Sequence, residues 1–262
     1  MTLIVGVLCS DGAVVGSDGA ATLGQPGNPT VRQEVRKLDV LNDKIIVGVS
    51  GPVGLGQKIK YTINEQWSNN DFSGLDPVMV GSKISEGMRQ HTQPLMQTAQ
   101  QAAPVVGNQM ASMSFMASSI VAMIVKHEPT LMQFDYQASS EVANQDIPFI
   151  AVGSGQPLAD PFLAFIRRVF WKDHLPTLSE GIFAALWTLQ HAIEVHPGGV
   201  SNPIQMAVLK KDGDGYAVEL EESELKETYQ SIEAAENRLA TYKDEIQSTK
   251  TEDIPEPKPK KK

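Results

Sequence analysis

The chain has 262 residues, of which 41% are hydrophobic and 20% charged, an ordinary composition for a globular protein that buries a sizeable core. Its formal net charge of −9 argues against broad binding to phosphate groups, so we expect no nucleic-acid partner. No apolar run reaches the roughly 18–20 residues of a membrane-spanning helix, and no basic segment precedes the first apolar run as in a secretory signal. The sequence therefore predicts a cytoplasmic protein that does not bind a membrane.

The chain opens with two predicted β-hairpins. Residues 2–9 and 13–18 are rich in Val, Ile and Leu and are separated by an "SDG" turn. Residues 25–34 are rich in turn-forming residues and predict a loop. In the second hairpin, "RKLDVL" and "KIIVGVSG" flank an "NDK" turn, and we expect the second strand to end near Ser50 and Gly51.

Helical and strand patterns follow in blocks. Apolar residues take helical spacing in "PVGLGQKIKYTINEQW" and again over residues 76–101, where Pro94 is expected to kink or divide the helix. The segment "APVVGNQMASM" predicts a loop. Four strand-sized runs follow, "SSIVAMIVK", "TLMQFDYQ", "SSEVAN" and "FIAVGSG", and then two helices, "PLADPFLAFIRRVFW" and "TLSEGIFAALWTLQHAIEV". Two further strands, "IQMAVLK" and "GYAVEL", come next.

This order of elements predicts the fold class. A group of strands followed by a pair of helices, used twice, indicates an α+β fold in which two stacked antiparallel sheets lie between helix pairs, a four-layer αββα sandwich. Alternating β-α-β units, which would indicate a parallel sheet, are absent from the pattern. We assign residues 1–220 to this domain, residues 221–247 to a C-terminal amphipathic helix and residues 248–262 to a disordered tail rich in Lys and Pro.

The C-terminal helix has a heptad-like apolar stripe. Leu225, Ile232, Leu239 and Ile246 lie seven residues apart. Such a stripe either packs on the helix's own domain or a neighbouring subunit, or forms a free-standing coiled coil. We interpret the lysines of the tail as solvated charges.

Motifs of several other enzyme classes are not met. "GPVGLGQKIK" lacks the Gly-Lys-Ser/Thr of a phosphate-binding loop, and "VGSGQ" does not have the spacing of a nucleophile elbow. The five histidines include no zinc-hydrolase pair, and nothing points to a Ser-His-Asp triad. The single cysteine, Cys9, lies in a strand pattern and is interpreted as a buried small hydrophobe. We therefore predict no metal and no cofactor.

Thr2 is the candidate nucleophile. Removal of Met1 would give Thr2 a free α-amine with a reference pKa of about 7.7–8.0, so that a base and a hydroxyl lie on one residue. The branched side chain restricts χ1, and a core strand that begins here would hold it rigidly. The alternative is a Met-Thr start without any function.

Three stretches resemble a known family. "TLIVGVLCSDGAVVGSDGAATLG", "VRKLDVLNDKIIVGVSG" and "AVGSG" are similar in content and order to motifs of proteasome β subunits and, more closely, of HslV-type peptidases, which are N-terminal-nucleophile (Ntn) hydrolases. The resemblance covers residues 2–56 and 147–220 well and the middle only in element order. It implies the fold predicted above and the activity of an N-terminal threonine endopeptidase.

The resemblance also implies roles for individual residues. Thr2 matches the family's nucleophile, Asp18 its buried carboxylate and Lys37 its active-site lysine, with Arg36 as the alternative for the lysine position. A lysine near the α-amine would favour the neutral amine by like-charge repulsion, and Asp18 would hold that lysine in place.

Gly51 matches the glycine whose backbone N–H forms the oxyanion hole, and a plain strand-to-helix turn is its alternative interpretation. Ser154 matches the serine that orients the amino terminus. Glu194 could support this serine, although a helix-surface position is the favoured interpretation.

The resemblance implies that substrate binds as an extended strand between the segments around Thr22 and Gly51. The first side-chain pocket would be apolar and would favour apolar residues before the cut bond. Its expected lining residues are Ala21, Val35, Val49 and Val53.

Two departures from the HslV type indicate a bacterial proteasome homologue distinct from both archetypes: a longer loop at 25–34 and the tail beyond residue 220. The implied assembly is a homo-oligomer of two stacked rings of six or seven subunits, with polypeptide substrates and an ATPase unfoldase as a candidate partner. Two alternatives stay open. One is a catalytically silent ring subunit that acts as a scaffold, and the other is an Ntn amidohydrolase that acts on a small amide.

Overall fold

Most of the protein forms a layered α+β structure. The computed structural model describes residues 2–25, 28–106, 115–196, 199–213 and 215–248. Met1 and the predicted disordered tail beyond Ser248 lie outside these described residues.

Within the described residues, ten strands form two antiparallel sheets of five strands each. The first sheet has the order β10-β1-β2-β11-β12, with strands Phe149–Val152, Ile4–Cys9, Gly12–Ser17, Gln205–Lys210 and Tyr216–Leu220. The second has the order β5-β6-β7-β8-β9, with strands Leu38–Leu41, Ile45–Ser50, Ser118–Val125, Glu128–Phe134 and Ser140–Val142. Two further strands, β3 (Ala20–Gln25) and β4 (Asn28–Glu34), pair only with each other.

Helices cover the outer faces of both sheets. The second sheet carries α1 (Val53–Ser68) and α2 (Pro77–Val106), and the first carries α3 (Gln156–Ile166) and α4 (Leu178–Val195). A π-helical turn, Arg167–Trp171, continues α3. The four-layer αββα arrangement predicted from the element order is confirmed.

The alternation of side chains along β1 shows how the layers are built. Val5 and Val7 lie in the apolar core between the first sheet and α3–α4, whereas Ile4 and Leu8 lie in the core between the two sheets. Successive residues of a strand point to opposite faces, so a strand buried on both faces must be apolar throughout. The sequence "IVGVLC" meets this requirement, and all six of these residues are buried.

The prediction of a loop over residues 25–34 is wrong for its second part, because β4 begins at Asn28. The turn-forming residues are tolerated here since β4 pairs with a single neighbour, and Pro29 lies opposite Gly24, where the register shifts. The local sequence predicted a loop because Pro, Gly and Asn dominate it, whereas the strand forms because it pairs with β3.

A division of the second helix at Pro94 is also wrong, because α2 runs through it without interruption. Pro94 is exposed, whereas Met88 before it and Ala99 after it are buried. Burial on both sides of the proline keeps the helix continuous even though proline cannot donate a backbone hydrogen bond.

The C-terminal helix is present as α5 (Lys226–Ser248), preceded by a 3-10 turn at Glu222–Leu225. Leu225 and Ile232 are buried in the same core as α4, whereas Leu239 is 55% exposed. The first half of the stripe therefore packs on its own chain. The side chain of Ile246 lies outside the described part of the chain.

Candidate active site

A buried carboxylate forms the centre of the site. Asp18 follows the end of β2 and is fully buried. Its Oδ1 accepts hydrogen bonds from Lys37 Nζ at 2.6 Å and from Leu3 N at 2.9 Å. Its Oδ2 accepts from Ala20 N at 3.3 Å and from Ser201 N at 3.4 Å. One cation and three backbone donors thus compensate the buried charge.

Lys37, and not Arg36, lies beside Asp18. Only 6% of the Lys37 side chain is exposed. The Arg36 side chain is 60% exposed and its guanidinium contacts Glu219 on β12, on the outer side of the same segment. The structure therefore rejects Arg36 as the alternative for the lysine position.

Thr2 is held at the start of β1 by the loop that follows β10. Its nitrogen donates to Ser154 Oγ at 3.1 Å, and its carbonyl oxygen accepts from Gly155 N at 3.1 Å. This nitrogen is a peptide amide while Met1 is attached, and it stands in the place that an α-amine would take after cleavage. The contact therefore puts a hydroxyl next to the nitrogen that removal of Met1 would turn into an α-amine.

The two glycines of "GSG" permit this close approach. A Cβ on Gly153 would lie 2.3 Å from the carbonyl oxygen of Thr2, and its φ is +98°. A Cβ on Gly155 would lie 2.8 Å from Leu3 Cβ. Any larger residue would push the loop away from Thr2, which gives the motif a steric explanation. Ser50 Oγ lies 3.0 Å from the same Gly153 Cβ position, so the end of β6 adjoins the site.

Gly51 directly follows β6 and has a φ of +139°, in a region that residues with a side chain rarely adopt. A Cβ there would lie 2.7 Å from the carbonyl oxygen of Met116 and 2.8 Å from Ala117 Cα. Glycine is thus required by the backbone at the position where the sequence predicts an oxyanion donor. The backbone conformation explains the glycine whether or not its N–H acts as an oxyanion donor.

The predicted substrate-binding residues lie on several elements. Ala21 and Thr22 lie in β3 and pair with residues of β4, and the side chain of Thr22 lies outside the described part of the chain. Val49 is half-buried at the end of β6, where its N–H donates to the carbonyl of Lys37 at 3.4 Å. Val53, in the first turn of α1, is 65% exposed. Val35 is half-buried and its N–H donates to the carbonyl of Gly19.

Glu194 lies at the end of α4 and is exposed. It lines a cavity of about 560 Å³ together with Glu34 and Tyr229. No hydrogen bond joins it to Ser154 among the residues that the structure describes. The favoured interpretation, a helix-surface position, is therefore confirmed.

Sequence reasoning missed two residues that the fold brings to the site. Ser201 donates its backbone N–H to Asp18, and the side chain of Gln205 contacts the backbone of Lys37. A glutamine at the start of an otherwise apolar strand was the one available signal for Gln205. Ser201 gave none, because only its main chain takes part.

Three further observations concern metal ligands, membrane-spanning helices and Cys9. Within the described ranges, no group of three or more His, Cys, Asp and Glu side chains is arranged to hold a metal ion. No helix in that part of the chain is both long and apolar enough to cross a membrane. Cys9 is buried as predicted, and burial, followed by the charges of Asp11 and Glu180, raises the pKa of its thiol, which stays protonated at neutral pH.

The chain matches known proteins over most of its length. The family model described as "Proteasome subunit" matches residues 2–199. A proteasome subunit beta of Methanococcus aeolicus is 25% identical over 218 residues, which cover 81% of this chain and 85% of the relative.

Solved structures show the same fold at lower identity. A Gly-1 mutant of Anbu from Hyphomicrobium sp. strain MC1 superposes with a TM-score of 0.66 at 17% identity, covering 94% of this chain and all of that chain. Anbu from Yersinia bercovieri, described as an ancestral beta-subunit, gives 0.60 at 15% identity, covering 92% and 96%. A helical assembly of the Anbu complex from Pseudomonas aeruginosa gives 0.61 at 17% identity, covering 96% and 98%.

Proposed function

Because the chain belongs to the proteasome subunit family and has the Ntn-hydrolase fold, we propose that it is a threonine-type endopeptidase subunit with Thr2 as its nucleophile. One observation carries the proposal. The ammonium of Lys37 lies 2.6 Å from a buried carboxylate of Asp18 that also binds the backbone of Leu3, the residue next to Thr2. A cation fixed at this place suits the activation of an N-terminal residue.

Activation requires cleavage of the Met1–Thr2 bond. The exposed α-amine of Thr2 is then the general base for its own hydroxyl, either directly or through a water molecule. The ammonium of Lys37 disfavours the protonated amine by charge repulsion and stabilises negative charge that develops on Thr2 Oγ. Ser154, now in contact with the Thr2 nitrogen, orients the amine.

The reaction then proceeds in two halves. Thr2 Oγ attacks the carbonyl carbon of the scissile peptide bond, its proton passes to the amine, and the N–H of Gly51 donates to the oxyanion. The carbon–nitrogen bond breaks as the protonated amine donates to the leaving nitrogen, which leaves an ester on Thr2. Water attacks this ester and gives a proton to the amine. The bond between the carbonyl carbon and Thr2 Oγ then breaks as the protonated amine returns that proton to Oγ, which releases the acid and the free hydroxyl.

Substrate selection follows from the flanking strands. We propose that a polypeptide binds in extended form between the segments at Thr22 and Gly51 through backbone hydrogen bonds. The side chain before the cut bond then enters an apolar pocket. Its proposed lining is Ala21, Val35, Val49 and Val53.

The family also suggests an assembly. One of the similar structures is a helical assembly of the Anbu complex, and we propose that this chain likewise works as a homo-oligomer. Two stacked rings of six or seven subunits, and an ATPase unfoldase as a partner, stay predictions.

The test is peptide hydrolysis by protein whose intact mass shows that Met1 has been removed. Fluorogenic peptides that differ in the residue before the cut bond are compared for the wild type, for Thr2→Ala and for the matched control Thr241→Ala on the exposed face of α5. We expect Thr2→Ala to lose activity by about 1000-fold or more and the control to keep it.

Three outcomes would contradict the proposal. Unchanged hydrolysis by Thr2→Ala would remove Thr2 as nucleophile. A mature protein that retains Met1 and is inactive would favour the silent scaffold subunit. Cleavage of small amides but of no peptide would favour an Ntn amidohydrolase. Best cleavage after charged residues would contradict only the proposed apolar pocket and would leave the assignment of Thr2 unchanged.

A further inference from the structure

The segment that carries Lys37 lies between two strands, and Val49 N–H of β6 donates to the Lys37 carbonyl oxygen at 3.4 Å. Residues 35–37 connect β4 to β5 and have no regular secondary structure. Buried backbone groups need hydrogen-bond partners, which here cannot come from a continuous ladder. The position of the Lys37 side chain therefore depends on whatever holds this segment.

The side-chain amide of Gln205 supplies three further hydrogen bonds to this segment and to Leu38. Its Oε1 accepts from Lys37 N at 2.8 Å and from Leu38 N at 3.4 Å. Its Nε2 donates to the carbonyl oxygen of Val35 at 2.6 Å. A primary amide has a donor and an acceptor side by side, so it replaces the peptide group of a neighbouring strand.

Gln205 also belongs to the element that adjoins the carboxylate. It begins β11 and lies opposite Ser17, the residue before Asp18, in the β2–β11 ladder. Ser17 Oγ lies 3.5 Å from Gln205 Oε1. Gln205 thus binds the backbone of Lys37 and also belongs to the strand pair that ends at Asp18. It therefore connects both members of the ion pair.

We propose that Gln205 is a positioning residue for the reaction, a role that rests on the proposed threonine endopeptidase function. It acts through the backbone of Lys37, which it keeps at the distance from Asp18 and Thr2 that catalysis needs. Displacement of a reacting group by about 1 Å can cost about 100-fold in rate.

The first experiment compares Gln205→Met with the wild type. Methionine is similar in length but has neither the donor nor the acceptor. Reactive sites are counted with a threonine-directed epoxyketone, and kcat is expressed per titrated site. We expect kcat per site to fall about 10–100-fold with KM within about twofold, because Gln205 is not among the proposed substrate-binding residues.

A matched control is Gln66→Met. Gln66 is 8% exposed, and its side-chain amide also donates to a backbone carbonyl, that of Lys83 at 2.9 Å, in the helical layer. A structural defect alone lowers stability or the number of titratable sites, so we expect Gln66→Met to keep kcat per site. A loss of kcat per site in both variants would overturn the positioning role.

A second measurement does not depend on activity. In a Thr2→Ala background, Gln205→Met should speed hydrogen exchange of the Lys37 and Leu38 amides by about tenfold or more. Gln66→Met should leave both amides protected. If Gln205→Met does not fold, Gln205→Asn, which keeps the amide but shortens its reach, replaces it in both measurements.

The outcomes separate the two proposals. Unchanged exchange at Lys37, or faster exchange with unchanged kcat per site, overturns the role of Gln205 and leaves the proposed function intact. If the wild type shows no Thr2-dependent hydrolysis, the proposed function fails and the catalytic role of Gln205 fails with it. The exchange measurement then still shows whether Gln205 protects the Lys37 and Leu38 amides.

Discussion

At the scale of single residues, the site depends on how one carboxylate is shared. Asp18 accepts hydrogen bonds from Leu3, from Ala20, from Ser201 and from the side chain of Lys37. Each oxygen serves two donors. The two members of the ion pair are therefore not equivalent, because three of the four contacts of Asp18 are to backbone groups that no substitution removes.

This asymmetry predicts different costs for the two single variants. Lys37→Met leaves the carboxylate with three N–H donors, whereas Asp18→Asn replaces one oxygen by an NH₂ group that faces two donors. We expect Asp18→Asn to lower the free energy of unfolding by about 1–3 kcal/mol more than Lys37→Met, as measured in urea. Both should lose peptide hydrolysis.

The control for removing a lysine from an ion pair is Lys211→Met, whose exposed pair with Glu128 should be worth less than about 1 kcal/mol. Equal stability of Asp18→Asn and Lys37→Met would show that the backbone donors contribute little. That result would contradict the assignment of Asp18 as the centre of the site.

At the scale of secondary-structure elements, α5 shows that one regular pattern can have two environments. Its apolar stripe continues without a break in the sequence, yet Leu225 and Ile232 are buried against the core beside α4 and Leu239 is not. Glu236 reaches back to accept a hydrogen bond from Trp187 Nε1 at 2.8 Å. The helix is therefore anchored by its first half.

We predict that Ile232→Ala lowers the free energy of unfolding by about 2–5 kcal/mol, because it leaves a cavity in a packed core. Leu239→Ala is the matched control in the same helix and should change it by less than about 0.5 kcal/mol in the isolated subunit. Chemical denaturation of both variants checks this. Equal costs would mean that the second half of α5 is buried in solution against something else.

At the scale of the whole molecule, the sandwich brings distant parts of the chain to one end. Because neighbouring strands of the first sheet are antiparallel, one end of this sheet collects four strand termini: the start of β1, the end of β2, the end of β10 and the start of β11. The start of β5 and the end of β6 lie together in the second sheet for the same reason. The two sheets stack, which brings Lys37 to Asp18 and places Ser50 beside Gly153, in the loop that contacts Thr2.

The whole-molecule prediction concerns assembly. If the protein works as its family suggests, native mass spectrometry should give a species whose mass is a multiple of the 28.4 kDa subunit, and peptide hydrolysis should co-elute with it on size exclusion. Electron microscopy would then distinguish closed rings from a helical arrangement. Full activity in a monomer fraction would contradict the requirement for assembly.

Local patterns accounted for most elements and failed at three places, one of them the loop predicted from Ala103, where α2 continues to Val106. The hairpin strands and the helices of the sandwich follow from periodicity and turn residues, as in "IVGVLC" around the first turn. The strand β4 was missed because Pro29 and its neighbours favour a turn locally, and only pairing with β3 overrides this preference. Pro94 does not divide α2, which has buried residues on both sides of it.

By itself, the sequence determined the layer order, because the strand and helix patterns are local, and the family resemblance of three short motifs predicted the site residues Thr2, Asp18, Lys37, Gly51 and Ser154. Only the tertiary structure decided that Lys37 and not Arg36 contacts Asp18, and that Gln205 binds the backbone of residues 35–37. The physical reason is that these contacts join residues of separate segments of the chain, 19 residues apart for Lys37 and Asp18 and 168 apart for Lys37 and Gln205, so no local pattern encodes them.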